Sequence, residues 1–195
     1  CYWDWKETND DLTGKRVTTS DYASASYYYV NKSSLPKVYG GFNTSLSWKG
    51  FDLSAIFAYS IGGYIYNRDI TMILHNGSLE GRDWSTEILK RWTPENRYTD
   101  VPALSTTSNN WNSASTRFLQ NNSYMRLKNL TLSYDLPKQW ISKLALSSVQ
   151  VFVQGDNLFT IHRNQGLDPE QGITGITYYR YPAMRTISGG INLSF

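Results

Sequence analysis

The sequence predicts an all-β chain, about five antiparallel strands with the connection pattern of a transmembrane β-barrel wall and long extracellular loops. Three observations lead there. Apolar and polar residues alternate in five stretches, each too short for an amphipathic helix and of the right period for a strand with one apolar face. The connections between those stretches alternate between short and long. Finally, the 195 residues are 15% aromatic and 18% charged, yet no uncharged apolar run reaches the roughly 18 residues a membrane helix needs. The last test excludes helical spans and leaves strand spans open, because a barrel strand shows lipid only every second residue.

The elements follow in order. After Tyr39-Gly40-Gly41, Phe42, Leu46 and Trp48 alternate with Asn43, Ser45 and Ser47. Lys49-Gly50 interrupts, and Phe51, Leu53, Ala55, Phe57, Tyr59 and Ile61 resume the alternation against Asp52 and Ser54, which reads as a tight hairpin. At Gly62-Gly63 the apolar parity moves to Tyr64 and Tyr66, so a bulge or the end of the strand is expected there. From about Arg68 to Asn122 periodicity fails, and a segment of that length inside an ordered protein reads as a functional loop, with one short helix over Ser85 to Trp92.

Alternation returns at Leu130, Leu132 and Tyr134 against Thr131, Ser133 and Asp135. Met125 and Leu127 upstream have the opposite parity, which places a bulge near Lys128-Asn129. Pro137 ends this strand, since proline has no N–H for the ladder. One helical turn within Gln139 to Ser148 leads to a fourth strand, where Val149, Val151 and Val153 alternate with Gln150, Phe152 and Gln154. Loop residues fill Asn164 to Gly175. A last strand is expected from about Tyr181, with Ile187, Ile191, Leu193 and Phe195 opposite Ser188, Asn192 and Ser194.

On this reading Trp48, Phe51, Tyr134 and Phe195 fall at the short-turn ends of their strands, and Tyr59 and Tyr64 toward the long-loop ends, as two interfacial girdles require. Asn43, Ser45, Ser47, Gln150, Gln154, Asn192 and Ser194 then face an interior. The competing architecture is a soluble or surface-tethered carbohydrate-binding β-sandwich with the tryptophans on its loops; such sandwiches show less disparity between connections.

Charge and cysteine content exclude several function classes. With 19 Lys+Arg against 16 Asp+Glu the net charge is +3, and the basic residues are scattered singly, so no nucleic-acid-binding stripe exists. Cys1, His75 and His162 supply neither a zinc ligand set nor an internal disulfide, and no cofactor is expected. Cys1 as the acylated residue of a lipoprotein is disfavoured by Tyr2-Trp3-Asp4-Trp5, which is no flexible tether. The carboxylates at Asp10 and Asp11, and at Glu80, Asp83 and Glu87, are not fixed at a glycosidase spacing. Neither histidine has a nucleophile and acid beside it, so the chain is not read as an enzyme. Asp168 and Glu170 offer calcium two carboxylates, but Asp168-Pro169 reads better as a turn.

Several segments resemble a known family. Leu35-Pro36-Lys37-Val38-Tyr39-Gly40-Gly41-Phe42, Lys49-Gly50-Phe51-Asp52-Leu53, the run Asn122 to Leu130, Tyr134-Asp135-Leu136-Pro137, Gly155 to Thr160, Gly166-Leu167-Asp168-Pro169-Glu170 and Tyr181 to Phe195 are similar, in the same order, to the C-terminal barrel region of SusC/RagA-type TonB-dependent transporters. The resemblance implies a 22-stranded outer-membrane barrel of the Bacteroidetes with an N-terminal plug. It implies import of oligosaccharides or peptides, energy delivered through TonB, and a SusD-like lipoprotein as lid. Residues 1–37 would then be an extracellular loop region and 38–195 the C-terminal portion of the barrel. TonB would be engaged through an N-terminal region absent from this chain.

Two sets of residues carry candidate roles. Trp84 and Trp111 in the first long loop, and Tyr178 and Tyr179 in the second, offer ring faces to a substrate; packing of the loops on each other or on a lid fits them equally. Trp92, at the end of the expected short helix, reads as structural. Ile191, Leu193 and Phe195 resemble the terminal signal read by the barrel-assembly machinery, and a lipid-facing strand demands the same alternation.

Overall fold

The computed structural model describes residues 4–7, 16–19, 21–23, 25, 29–75, 81–105, 112–141, 146–164, 166, 168–170, 174–177 and 179–195. In chain order the strands are β1 (Asp4–Glu7), β2 (Arg16–Thr19), β3 (Pro36–Trp48), β4 (Phe51–Gly62) and β5 (Tyr64–Asn67), then β6 (Leu119–Asn121), β7 (Tyr124–Asp135), β8 (Ser148–His162), β9 (Ile176–Thr177) and β10 (Thr186–Ser194). Two short helices, α1 (Arg68–Ile73) and α2 (Lys138–Ile141), follow β5 and β7. Among the described residues no helix is long and apolar enough to cross a membrane.

The chain divides into two compact units. One comprises Ser33–Tyr64, Asn121–Gly175 and Arg180–Phe195. Its body is a five-stranded antiparallel sheet in the order β10-β8-β7-β4-β3, so the strands of this sheet pair in the order in which the chain supplies them, with β5, β6 and β9 diverted to another sheet. The Lys49-Gly50 turn between β3 and β4 has φ of 49° and 87°. Both residues are left-handed, as the two-residue hairpin that matches strand twist requires.

Partners across an antiparallel ladder share a face, and here the register gathers most apolar residues on one side, with Ile56 and Phe152 as apolar residues on the other. One face carries the rows Trp48, Phe51, Tyr134, Val151, Ile191 and Leu46, Leu53, Leu132, Val153. Phe42, Phe57, Leu127 and Phe159 make a further row of it. Phe42 stacks on Phe57 with ring centroids 4.7 Å apart, and the Phe51 ring lies tilted by 34° against Tyr134 at 4.4 Å. The opposite face carries Ser45, Ser54, Thr131, Gln154 and Ser188 in one row, and Tyr39, Ser60, Tyr124 and His162 in another.

Lys128 holds this sorting together. The register shifts between Leu127 and Asn129, so Lys128 is the extra residue of a bulge. Met125 and Leu127 therefore stay on the apolar face despite their odd numbering against Leu130 and Leu132. That face is not packed under a second layer: Leu46 is 67% exposed and Ile187 76%, with Leu132, Val153 and Ile191 also exposed.

The other unit comprises Cys1–Lys32, Ile65–Gln120 and Ile176–Tyr179. It contains the β1-β2 hairpin, which lies within the expected 1–37 loop region, and a small sheet in the order β6-β5-β9 whose β5-β9 pairing is parallel. Ile65 and Phe118 are buried in it, with the Tyr66 ring edge-on to Phe118 at 6.2 Å. The stretch expected to be irregular after residue 68 starts with α1, because Asn67 caps it by accepting from the Ile70 N–H at 3.0 Å. The short helix expected over Ser85 to Trp92 is a 3₁₀ helix at Thr86–Lys90, capped by Ser85.

Two strand boundaries differ from expectation. The fourth strand, β8, continues to His162 and takes in Gly155 to Thr160; Asn157, at φ 52°, absorbs the register shift opposite Lys128. The last strand starts at Thr186 rather than at Tyr181. Pro182 brings no N–H, and the next backbone groups are engaged by side chains. The Ala183 N–H donates to Asp168 Oδ2 at 2.6 Å, and the Met184 carbonyl accepts from Asn157 Nδ2 at 3.2 Å.

Candidate functional site

The polar face of the large sheet carries a folded-back segment of the β8–β10 loop. Alternation from Tyr124 places Arg126 on that face, paired with Ala58 on one side and Thr160 on the other. All three nitrogens of its guanidinium donate. Nε donates to Thr160 Oγ1 at 2.8 Å, Nη1 to Glu170 Oε2 at 2.7 Å and Nη2 to Asp168 Oδ1 at 2.5 Å. The bulge residue Lys128 reaches Glu170 as well, at 2.5 Å. Arg126 and Asp168 side chains are only 4% and 6% exposed, so the pair is desolvated and depends on these hydrogen bonds.

Asp168 also accepts from the Glu170 N–H at 2.9 Å and, as above, from Ala183. Burial pushes its carboxyl up, but the hydrogen bonds from the Ala183 N–H, the Arg126 guanidinium and the Glu170 N–H, with the Arg126 charge, bring it below the ordinary aspartate value. Asp168 and Glu170 therefore serve as partners to two cations and not as an open calcium pair. Among the described residues no cluster of three or more His, Cys, Asp or Glu is placed to hold a metal ion.

Beside this clamp lies an open cavity of about 340 Å³, lined among others by Ser34, Tyr39, Ser60, Asn122, Tyr124 and Pro169. Its floor is tied down. Asn122 Nδ2 donates to the Pro169 carbonyl at 2.9 Å, Asn164 Nδ2 donates to Asn122 Oδ1 at 2.9 Å, and the Gly62 N–H donates to Ser123 Oγ at 2.9 Å. Gly62 and Gly63 turn the chain at its edge with φ of 82° and 75°, a conformation that penalises any Cβ.

Two of the residues expected to contact substrate, Trp84 and Tyr179, sit in the other unit. Trp84 is 43% exposed, and its indole N–H donates to Nδ1 of the buried His75 at 3.1 Å with the two rings edge to face. Trp92 is positioned by its backbone N–H, which donates to the Val101 carbonyl at 2.8 Å. Tyr179, left-handed at φ 45°, is held by Asp69 through its N–H at 3.0 Å and donates its hydroxyl to Met72 Sδ at 3.2 Å. Trp111 and Tyr178 lie outside the described residues, as do Asp10, Asp11 and Glu80. Glu87 pairs with Lys90 at 2.8 Å. Ile191 and Leu193 are exposed on the apolar side of β10, and Phe195 is exposed beyond it.

Residue chemistry in the sequence marks Asp168 and Glu170 as a carboxylate pair, but neither their cationic partners nor the cavity. Arg126 and Lys128 lie within one segment that carries the family resemblance and Asp168 and Glu170 within another, and the fold brings them together as two cations and two anions.

A meander of antiparallel strands with one uncovered apolar face, one polar face and a loop pinned to the polar side defines a class, the two-faced antiparallel sheet. Comparison with known proteins identifies the family. TonB-dependent receptor P3 of Formosa agariphila is 33% identical over 166 residues, 80% of this chain and 16% of that receptor. TonB-dependent receptor SusC of Bacteroides thetaiotaomicron is 27% identical over 168 residues, 86% of this chain and 16% of SusC. The solved RagAB peptide importer in its closed-closed state superposes with a TM-score of 0.82 at 34% identity, covering 98% of this chain and 21% of that one. No family model matches. The chain belongs to the SusC/RagA-type TonB-dependent transporters, and it spans about a fifth or less of the length of these relatives.

Proposed function

We propose that the large sheet is part of the wall of an outer-membrane β-barrel, the C-terminal portion of a TonB-dependent active transporter that imports oligosaccharides or peptides. The observation that carries this reading is the uncovered apolar face. Full burial of one large apolar side chain contributes about 1.5–3 kcal/mol. Roughly a dozen left half-exposed on this face forgo on the order of 10 kcal/mol, comparable with the whole net stability of a domain. Lipid supplies the missing apolar contact. A carbohydrate-binding sandwich would instead cover the face with a second sheet about 10 Å away.

On this reading residues 38–195 belong to the barrel and residues 1–37 to its extracellular loops. The polar face looks into the lumen. Trp84 and Tyr179, with Trp111 and Tyr178, serve contacts with cargo or with a SusD-like lipoprotein lid. Ile191, Leu193 and Phe195 serve recognition by the barrel-assembly machinery, and energy arrives from TonB through a region outside this chain. The segment has no catalytic role.

Uptake by the whole gene product tests this. Cells carrying it should accumulate a labelled oligosaccharide or peptide only when tonB is intact, with the protein in the outer-membrane fraction. A protein recovered from the soluble fraction, or uptake indifferent to tonB, would overturn the proposal.

A further inference from the structure

We infer that the cavity on the polar face is a binding site for one ring of a neutral saccharide, an inference that rests on the transporter reading and narrows its cargo. Across three neighbouring strands Tyr39, Ser60 and Tyr124 form one row. The residue that Tyr39 and Tyr124 flank is small, and the next row contributes Ala58. Two strand spacings, about 10 Å, separate the two tyrosine backbones. That span admits one sugar ring in carbon contact, at about 4 Å, with a phenol on either side. The cavity's about 340 Å³ lies at the lower end of ordinary ligand sites.

The lining decides the ligand class. Phenol faces accept sugar C–H groups, and Ser60 between them adds a short hydroxyl for a sugar hydroxyl. Among the described residues, none that lines the cavity carries a charge. The cations next to it are already committed, Arg126 to Asp168 and Glu170 and Lys128 to Glu170. A peptide's carboxylate or ammonium would find no counter-charge here, whereas an uncharged polyol needs none. The pinned Asn122–Pro169 floor keeps the site preformed.

The test uses the full-length transporter purified in detergent, titrated calorimetrically with maltotriose, xylotriose, laminaritriose and mannotriose, and with zwitterionic trialanine as the contrasting probe. At least one trisaccharide should bind. Tyr39→Ala and Tyr124→Ala should each weaken it about tenfold or more, while Tyr39→Phe, which keeps the ring, and Leu89→Ala, on an exposed 3₁₀ helix of the other unit, should leave it within about threefold. Tyr39 is 77% exposed, so its truncation does not endanger folding. Trisaccharide binding that ignores both tyrosines would overturn the site. Failure of all four sugars, or trialanine binding that Tyr39→Ala weakens, would overturn the ligand class. In each case tonB-dependent uptake still decides the transporter reading separately.

Discussion

Arg126 concentrates the energetics of the polar face in one side chain. It spends its donors on Thr160, Asp168 and Glu170, and Asp168 in turn holds the Ala183 N–H. Replacing it with alanine strands a buried carboxylate, which costs about 3–5 kcal/mol. Amide exchange at Ala183 in the full-length protein should accelerate correspondingly, and unchanged protection there would refute the role. Lys128→Ala removes only a half-exposed pair to Glu170 and should cost no more than about 1 kcal/mol by the same measurement.

Asp168 adds a pH dependence whose direction follows from its lowered value. A carboxylate held below its unfolded-chain value, about 3.9, contributes stability that is complete above that pH and is lost as pH falls through the folded value. Protection of Ala183 should therefore hold through neutral and mildly acidic pH and collapse only in stronger acid. In Asp168→Asn it should be weak throughout, with no such acid transition. A transition that persists in Asp168→Asn would assign it to another group.

The strands were legible because their period is simple, and the errors lie where backbone groups leave the ladder. Strands β3, β4 and β7 appear where alternation predicts them, and the bulge expected from the clash of parity between Leu127 and Leu130 is found at Lys128. Periodicity did not extend the fourth strand through Asn157, whose left-handed backbone resets the parity. It also ran the last strand too far back, since alternation at Tyr181 to Arg185 is blind to Asp168 and Asn157 taking the backbone partners. Of the site, the loop aromatics were visible as residue types, whereas the clamp depends on residues 42 and 44 positions apart, a pairing no local pattern reveals. The bulge is itself testable. Deleting Lys128, unlike substituting it, would turn Met125 and Leu127 to the polar face, and the full-length protein should lose its heat-modifiable folded band on gels. A normal folded band from the deletion would show that parity does not govern assembly.

At the scale of the whole molecule, the proposed function assigns one face of the sheet to lipid and the other to the lumen. Arginine at Leu132, on the apolar face, should cost about 2–4 kcal/mol near mid-bilayer and lower the outer-membrane level of the transporter, while arginine at its neighbour Thr131 should be tolerated. Spin labels read the same division directly. In the full-length transporter reconstituted in lipid, labels at Leu53, Leu132 and Val153, which form one row of the sheet, should collide with oxygen dissolved in the bilayer. Labels at Ser54, Thr131 and Gln154, the neighbouring row on the opposite face, should collide with a water-soluble nickel chelate instead. Strict exchange of the two accessibilities from one residue to the next is the result the wall reading predicts; chelate access at Leu53, Leu132 and Val153 would contradict it.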